Sequence, residues 1–173
     1  MNKVEYFEFV RDIPYRIPLD AKEVDHCCGG KNKVLHQLFE ELRIKVRYRV
    51  CDFYWSGLNI PMKILKIPHR DVASHLYLQV YVPKKGKWVN VDATWDKGLS
   101  NVFMISTWNG EKDTPLAVKP VRIYLPKNSV CDKNDLKTAI NDLNENRKFY
   151  KALDNWLEKE RGRSLGRAGR RKK

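Results

Sequence analysis

The sequence predicts an α+β domain, and three segments carry that prediction. From Lys31 to Arg43, KNKVLHQLFEELR places Val34, Leu35, Leu38, Phe39 and Leu42 at helical spacing, with Gln37, Glu40, Glu41 and Arg43 on the other side. That is an amphipathic helix with one buried face. Residues 45–55, KVRYRVCDFYW, alternate Val46, Tyr48 and Val50 against Lys45, Arg47 and Arg49, which is the period of a strand. Residues 75–82, HLYLQVYV, alternate again, and after the turn signal PKKGK the stretch WVNVDAT sets Val89, Val91 and Ala93 against Trp88, Asn90, Asp92 and Thr94. The last two strands form a hairpin.

The remaining elements follow from shorter signals. EYFEFVRDIPYRIP mixes apolar and charged residues and is closed by prolines, so a short helix or turn leads into an extended approach. Residues 119–125, KPVRIYL, read as one more strand, and residues 135–157 carry Leu136, Ile140, Leu143, Leu153 and Trp156 at broken helical spacing, a C-terminal helix. No internal repeat is present.

With 173 residues, 42% hydrophobic and 11% aromatic, the chain has the composition of one globular domain rather than a disordered one. The formal charge of +13 is uneven, because the last segment, RGRSLGRAGRRKK, holds seven Lys and Arg and no acid. Residues 1–160 are therefore expected to form the domain and residues 161–173 a flexible basic tail, suited to weak contact with nucleic acid or an acidic surface. No apolar run approaches the roughly 18 residues of a membrane span, and the N-terminus carries charges where a signal peptide has its apolar core, so a cytoplasmic location is expected. Four cysteines at 27, 28, 51 and 131 form neither a disulfide-dense pattern nor a CxxC pair, so reduced thiols without a metal or other cofactor are expected.

The hairpin permits a finer step. If even-numbered Leu76, Leu78, Val80 and Val82 share a buried face with odd-numbered Val89, Val91 and Ala93, paired positions add to an odd number. The same parity places His75 and Asp92 together on the other face. The thiol is located by the helix stripe: stepping back by sevens from Leu42 through Leu35 reaches Cys28, not Cys27. Gly29 and Gly30 follow it where the helix begins, so free backbone amides and the macrodipole lower the thiol pKa there, and the two glycines let a substrate backbone approach. Cys51 and Cys131 read as buried or incidental thiols, and His26, His36 and His69 as ordinary polar groups. Cys27 is an extra thiol with no assigned role.

CGGKNKVLHQLFEELRIKVRYRV, then SHLYLQVYV, then GKWVNVDATWD resembles the transglutaminase-like superfamily, in which a cysteine opens a helix, a histidine opens a strand and an aspartate lies in a following strand. The likeness spans about residues 7–96 and includes the lead-in FVRDIPY. It departs from the family in having Gly29 directly after the cysteine, and it lacks the CxxC pairs of peptide N-glycanases. The resemblance implies a papain-like core, with the N-terminal Cys28 helix packed on an antiparallel sheet that carries His75 and Asp92. It also implies Cys28 as nucleophile, His75 as general base and Asp92 as the group orienting the imidazole. The expected activity is thiol-dependent acyl transfer on amide or peptide bonds of a protein or peptide substrate, either by hydrolysis (protease or amidase) or by transamidation (transglutaminase). Trp55, Trp88, Trp95 and Trp108 are candidates for the aromatic walls that transamidation needs. The rival class is a catalytically silent module of the same fold that holds a protein or nucleic-acid partner.

Overall fold

A computed structural model describes residues 1–20, 22–126 and 135–170, with side chains described except for those of 135–139 and 165–170. Helix α1 (Lys3–Asp12) and helix α2 (Cys28–Glu41) precede strand β1 (Val46–Tyr54), the short helix α3 (Met62–Leu65), strands β2 (Val72–Val82) and β3 (Lys87–Val91), the two-residue strand β4 (Arg122–Ile123) and the long helix α4 (Asp135–Arg170). The fold is mixed α+β, with a four-stranded antiparallel sheet in the order β3-β2-β1-β4. Among the described residues, no helix is long and apolar enough to cross a membrane.

Local chemistry explains where the elements begin and end. The Asn2 side chain accepts from the Val4 and Glu5 amides while Glu5 reaches back to the Asn2 amide, a reciprocal cap that starts α1. The β2–β3 loop is residues 83–86, an even length, and Gly86 closes it at φ 59, a left-handed conformation that glycine enters without penalty. The register pairs Leu78 with Val91 and Val80 with Val89, so the odd-sum parity holds and the apolar set lies on one face. The strand expected over 119–125 narrows to β4. Pro120 has no N–H to donate, and the ladder to β1 is carried by the Val121 and Tyr124 amides on Asp52 O and Val50 O.

Each sheet face covers its own core. One face, Leu78, Val80, Val82, Val89 and Val91, packs under α1 and α2 through Phe7, Val10, Leu35 and Phe39. The opposite face, with Cys51, Phe53 and Tyr77, packs against α4 through Phe149, Tyr150, Leu153 and Leu157. The buried stripe of α2 is Lys31, Asn32, Leu35 and Phe39. Val34 and Leu42, expected on that stripe, are instead 40% and 38% exposed, because the helix is rotated so that its N-terminal turn meets the sheet with polar residues.

The boundary expected at residue 161 falls inside α4, which continues to Arg170. Arg161 explains the continuation: its guanidinium donates to the Asp96 carboxylate at 2.9 Å and to Tyr15 O at 2.6 Å, and its side chain is only 12% exposed. Cys131 and residues 171–173 lie outside the described residues. Replacing Arg161 by Leu leaves the buried Asp96 charge uncompensated, at a cost of about 3 kcal/mol. In a thermal melt this lowers Tm by roughly 6 to 12 °C. A chain ending after Glu160 shows the same loss and one ending after Ser164 does not; equal melting of both truncated chains and the full chain contradicts an anchoring role for Arg161.

Candidate active site

The site is assembled where β3 stops. Val91 is the last residue of β3 and pairs with Leu78, so the earlier part of β2 has no β3 ladder beside it. The N-terminal turn of α2 takes that place. Asn32, fully buried, donates from Nδ2 to Leu76 O and to Cys28 O, both at 2.9 Å, and the Leu76 N–H is a donor to the Cys28 sulfur. One buried amide therefore ties the thiol-bearing turn to the strand that carries His75. The helix start itself requires a glycine, since a Cβ on Gly30 would lie 1.8 Å from Asp25 O. The second glycine thus answers to the chain's own backbone, while Gly29 borders the cleft described below.

His75 and Asp92 meet on the other face of the hairpin. Extending the register sets Asp92 opposite Tyr77 and diagonal to His75, and the His75 Nε2–H donates to Asp92 Oδ2 at 2.7 Å. Asp92 has no freedom to turn away. Its Oδ2 also accepts from the Ala117 amide at 2.8 Å, its Oδ1 accepts from the Thr94 amide at 3.1 Å, and its own amide donates to Thr114 Oγ1 at 2.9 Å. With Nε2 engaged, Nδ1 is the ring nitrogen left for the thiol.

The electrostatics follow from these contacts. A hydrogen bond from Cys27 draws the Cys28 thiol well below the ordinary range; burial opposes this, and the hydrogen bond and charge of His75 and the Leu76 amide assist it. Cys27 moves the other way, pushed well up by its bond to Cys28, by burial and by Asp25. The two neighbours thus divide their roles, with Cys27 held as thiol donor and Cys28 as thiolate. Burial disfavours the charged imidazole, but the charge and hydrogen bond of Asp92, with Cys28, push His75 up to about 10. Burial raises Asp92, and the opposing His75 charge and surrounding donors hold it below the usual carboxylate range.

Cys28 and His75 open into a cleft of about 650 Å³ whose walls include Tyr15, Trp55 and Trp95. Arg70, Asp142 and Tyr150 also line it, joined by Arg70 Nη2 and Tyr150 Oη, each donating to Asp142 at 2.6 Å. Of the four tryptophans considered as walls, Trp108 packs instead with Phe7 and Phe39, and Trp88 lies under Arg47. His36 stacks on Tyr48 and His69 on Phe149, and His26 bridges to Arg16. Cys51 is fully buried beneath the sheet.

Lys31 and Asn32 were not singled out from the sequence, although both fall on the stripe that leads from Leu35 back to Cys28. Lys31 is 1% exposed and donates to Arg11 O, Ile13 O and Thr94 O at 2.7–2.8 Å, which joins α1, α2 and the segment leaving β3. Burial pulls its ammonium down to about 7, against the nearby charges of Asp96 and Asp92. Two polar residues at buried-stripe positions were the available signal.

No family model, curated protein or solved structure matches this chain. Among the described residues, no group of three or more His, Cys, Asp or Glu is placed to hold a metal ion.

The thiolate and imidazolium coexist from below the ordinary thiol pKa up to about pH 10, where His75 loses its proton. Brief iodoacetamide treatment at neutral pH therefore labels Cys28 ahead of Cys27 and of Cys51, whose burial pushes it up to about 12. Peptide mapping by mass spectrometry reads the order. Asp92→Asn removes the charge that keeps His75 protonated, so the change in alkylation rate near pH 10 shifts to lower pH; an unshifted profile contradicts the coupling.

Proposed function

We propose that the protein is a thiol-dependent acyl-transfer enzyme acting on amide or peptide bonds, with a papain-like arrangement of the kind the transglutaminase-like resemblance implies. The observation that supports it most directly is one chain of contacts: a depressed Cys28 thiol beside His75, whose Nε2–H is held by the buried Asp92 carboxylate at 2.7 Å, at the floor of a cleft.

The chemistry runs as follows. The Cys28 sulfur attacks the carbonyl carbon, and the π electrons move to the oxygen. The Cys28 amide, in the first turn of α2 where N–H groups lack intrahelical acceptors, donates to that oxyanion. As the C–N bond breaks, the His75 Nδ1–H protonates the departing amine, and a thioester on Cys28 remains. His75, now neutral, takes a proton from the incoming water or amine, whose oxygen or nitrogen attacks the thioester; the sulfur leaves as thiolate. Asp92 keeps the ring oriented throughout and stabilises its charged form. Water and amine acceptors use the same groups, so hydrolysis and transamidation are both within reach of this site.

Peptide cleavage and incorporation of a labelled primary amine into a glutamine-containing protein, measured side by side, test the reading. Cys28→Ala and His75→Ala each lower kcat by about 10³-fold or more, and Asp92→Asn by about 10²-fold or more, in whichever assay is active. Activity that survives Cys28→Ala overturns the assignment. Silence in both assays across varied substrates favours a binding module.

A further inference from the structure

The sheet face that carries His75 and Asp92 has a second half that α4 does not cover. There Lys45 just before β1 and Arg47 and Arg49 within it, Gln79 and Tyr81 of β2, and Trp88 and Asn90 of β3 share one face. Arg47 donates to Gln79 Oε1 through Nε and Nη2 at 3.0 and 2.7 Å, and Arg49 donates to the same oxygen at 2.9 Å. Two guanidinium groups thus share one neutral acceptor. Gln79 in turn donates to Asn90 Oδ1 at 2.9 Å, so a polar network spans three strands and fixes both arginines.

Among the described residues, no carboxylate pairs with Lys45, Arg47 or Arg49. Arg49 also donates to Tyr124 O at 3.0 Å, and its Nε has no acceptor among the described residues. On the outer edge of β3, Asp113 is engaged by the Asn90 amide and Glu111 by Lys85. Holding like charges together without an anion costs electrostatic energy that a bound anion relieves. The aromatic component is equally definite: Arg47 lies 4.0 Å from the Trp88 ring centroid, and Lys45 sits 5.2 Å from Tyr81 and 5.7 Å from Trp88. Flat guanidinium planes and half-buried rings alternate on an open sheet.

From this we infer that the Lys45–Arg47–Arg49–Trp88 face binds single-stranded nucleic acid, with the arginines and lysines on phosphates and the Tyr81, Trp88 and guanidinium planes against bases. A single strand offers both a regular anionic backbone and exposed base faces; a duplex hides its base faces, and an acidic peptide has none. Recognition through phosphates and stacking carries little sequence preference. This site is separate from the Cys28 cleft and does not rest on the acyl-transfer reading.

Fluorescence anisotropy of the full chain with a labelled oligothymidylate of about 15 nucleotides tests it, near 50 mM salt and at rising salt. The expected result is salt-dependent binding that Arg47→Gln/Arg49→Gln weakens about tenfold, with the log–log salt slope shallower by about 1.4. The exposed Lys45→Gln gives a smaller loss in the same direction and decides the question if the arginine variant melts at lower temperature than the parent. A variant neutralised at Arg170, Arg171, Lys172 and Lys173 keeps most of the affinity. Unchanged binding by both sheet variants, loss confined to the C-terminal variant, or competition by duplex DNA or poly-glutamate as effective as that by the unlabelled strand overturns the inference.

Discussion

The end of β3 at Val91 is the constraint on which the candidate site depends. A strand interior must satisfy its backbone groups on both sides, and β2 beyond Leu78 has no β3 to do so. The Asn32 amide fills that role for Leu76 O, and in doing so it brings the first turn of a helix, with its free amides and its thiol, against the strand residue next to His75. Had β3 continued in register, its residues would occupy the space of the Cys28 turn. The short strand also frees Asp92 from the ladder, so its amide bonds Thr114 while its carboxylate turns to the histidine.

A belt of buried charge surrounds this junction. Lys31, Arg11, Asp92 and Asp96 are each at most 3% exposed, and each is satisfied by carbonyls, amides or an opposite charge from another element. Such groups contribute little net stability, because desolvation offsets much of what the contacts return. What they fix is arrangement. Lys31 draws the C-terminal end of α1 and the carbonyl of Thr94 to one ammonium, and Thr94 is the residue whose amide braces Asp92. Arg161 does the same from the far end of the chain, joining α4 to Asp96 and to the backbone of Tyr15, a wall of the cleft. The geometry of Cys28, His75 and Asp92 is therefore held by residues from α1, α2, α4 and the segment after β3.

The same sheet face divides into two chemically different halves. Toward the end of β1 it is apolar and closed by α4; toward its start it is cationic and open. Tyr77 separates them, buried between His75 and the Gln79 network. An open half of arginines held on a shared amide needs no apolar cover, which is why one face both encloses a buried histidine and presents charge to solvent.

Much of this was readable from spacing alone. Period-two alternation in residues 45–55, 75–82 and 88–94 located the strands, although the last of them ends at Val91 rather than Thr94, and hairpin parity put His75 and Asp92 on a shared face. The helical step of seven selected Cys28 over Cys27. Spacing of that kind reports which residues of one element share a face, because side-chain direction is set locally by backbone geometry. It does not report which backbone groups of another element go unsatisfied. The burial of Lys31 and Asn32, the donor role of Cys27, the diagonal rather than direct pairing of His75 with Asp92, and the reach of α4 past residue 161 through Arg161 each depend on partners between 1 and 146 residues away in the chain. Only the packed structure decided them, since long-range partners are chosen by the free energy of the whole assembly rather than by the residues that lie alongside in sequence.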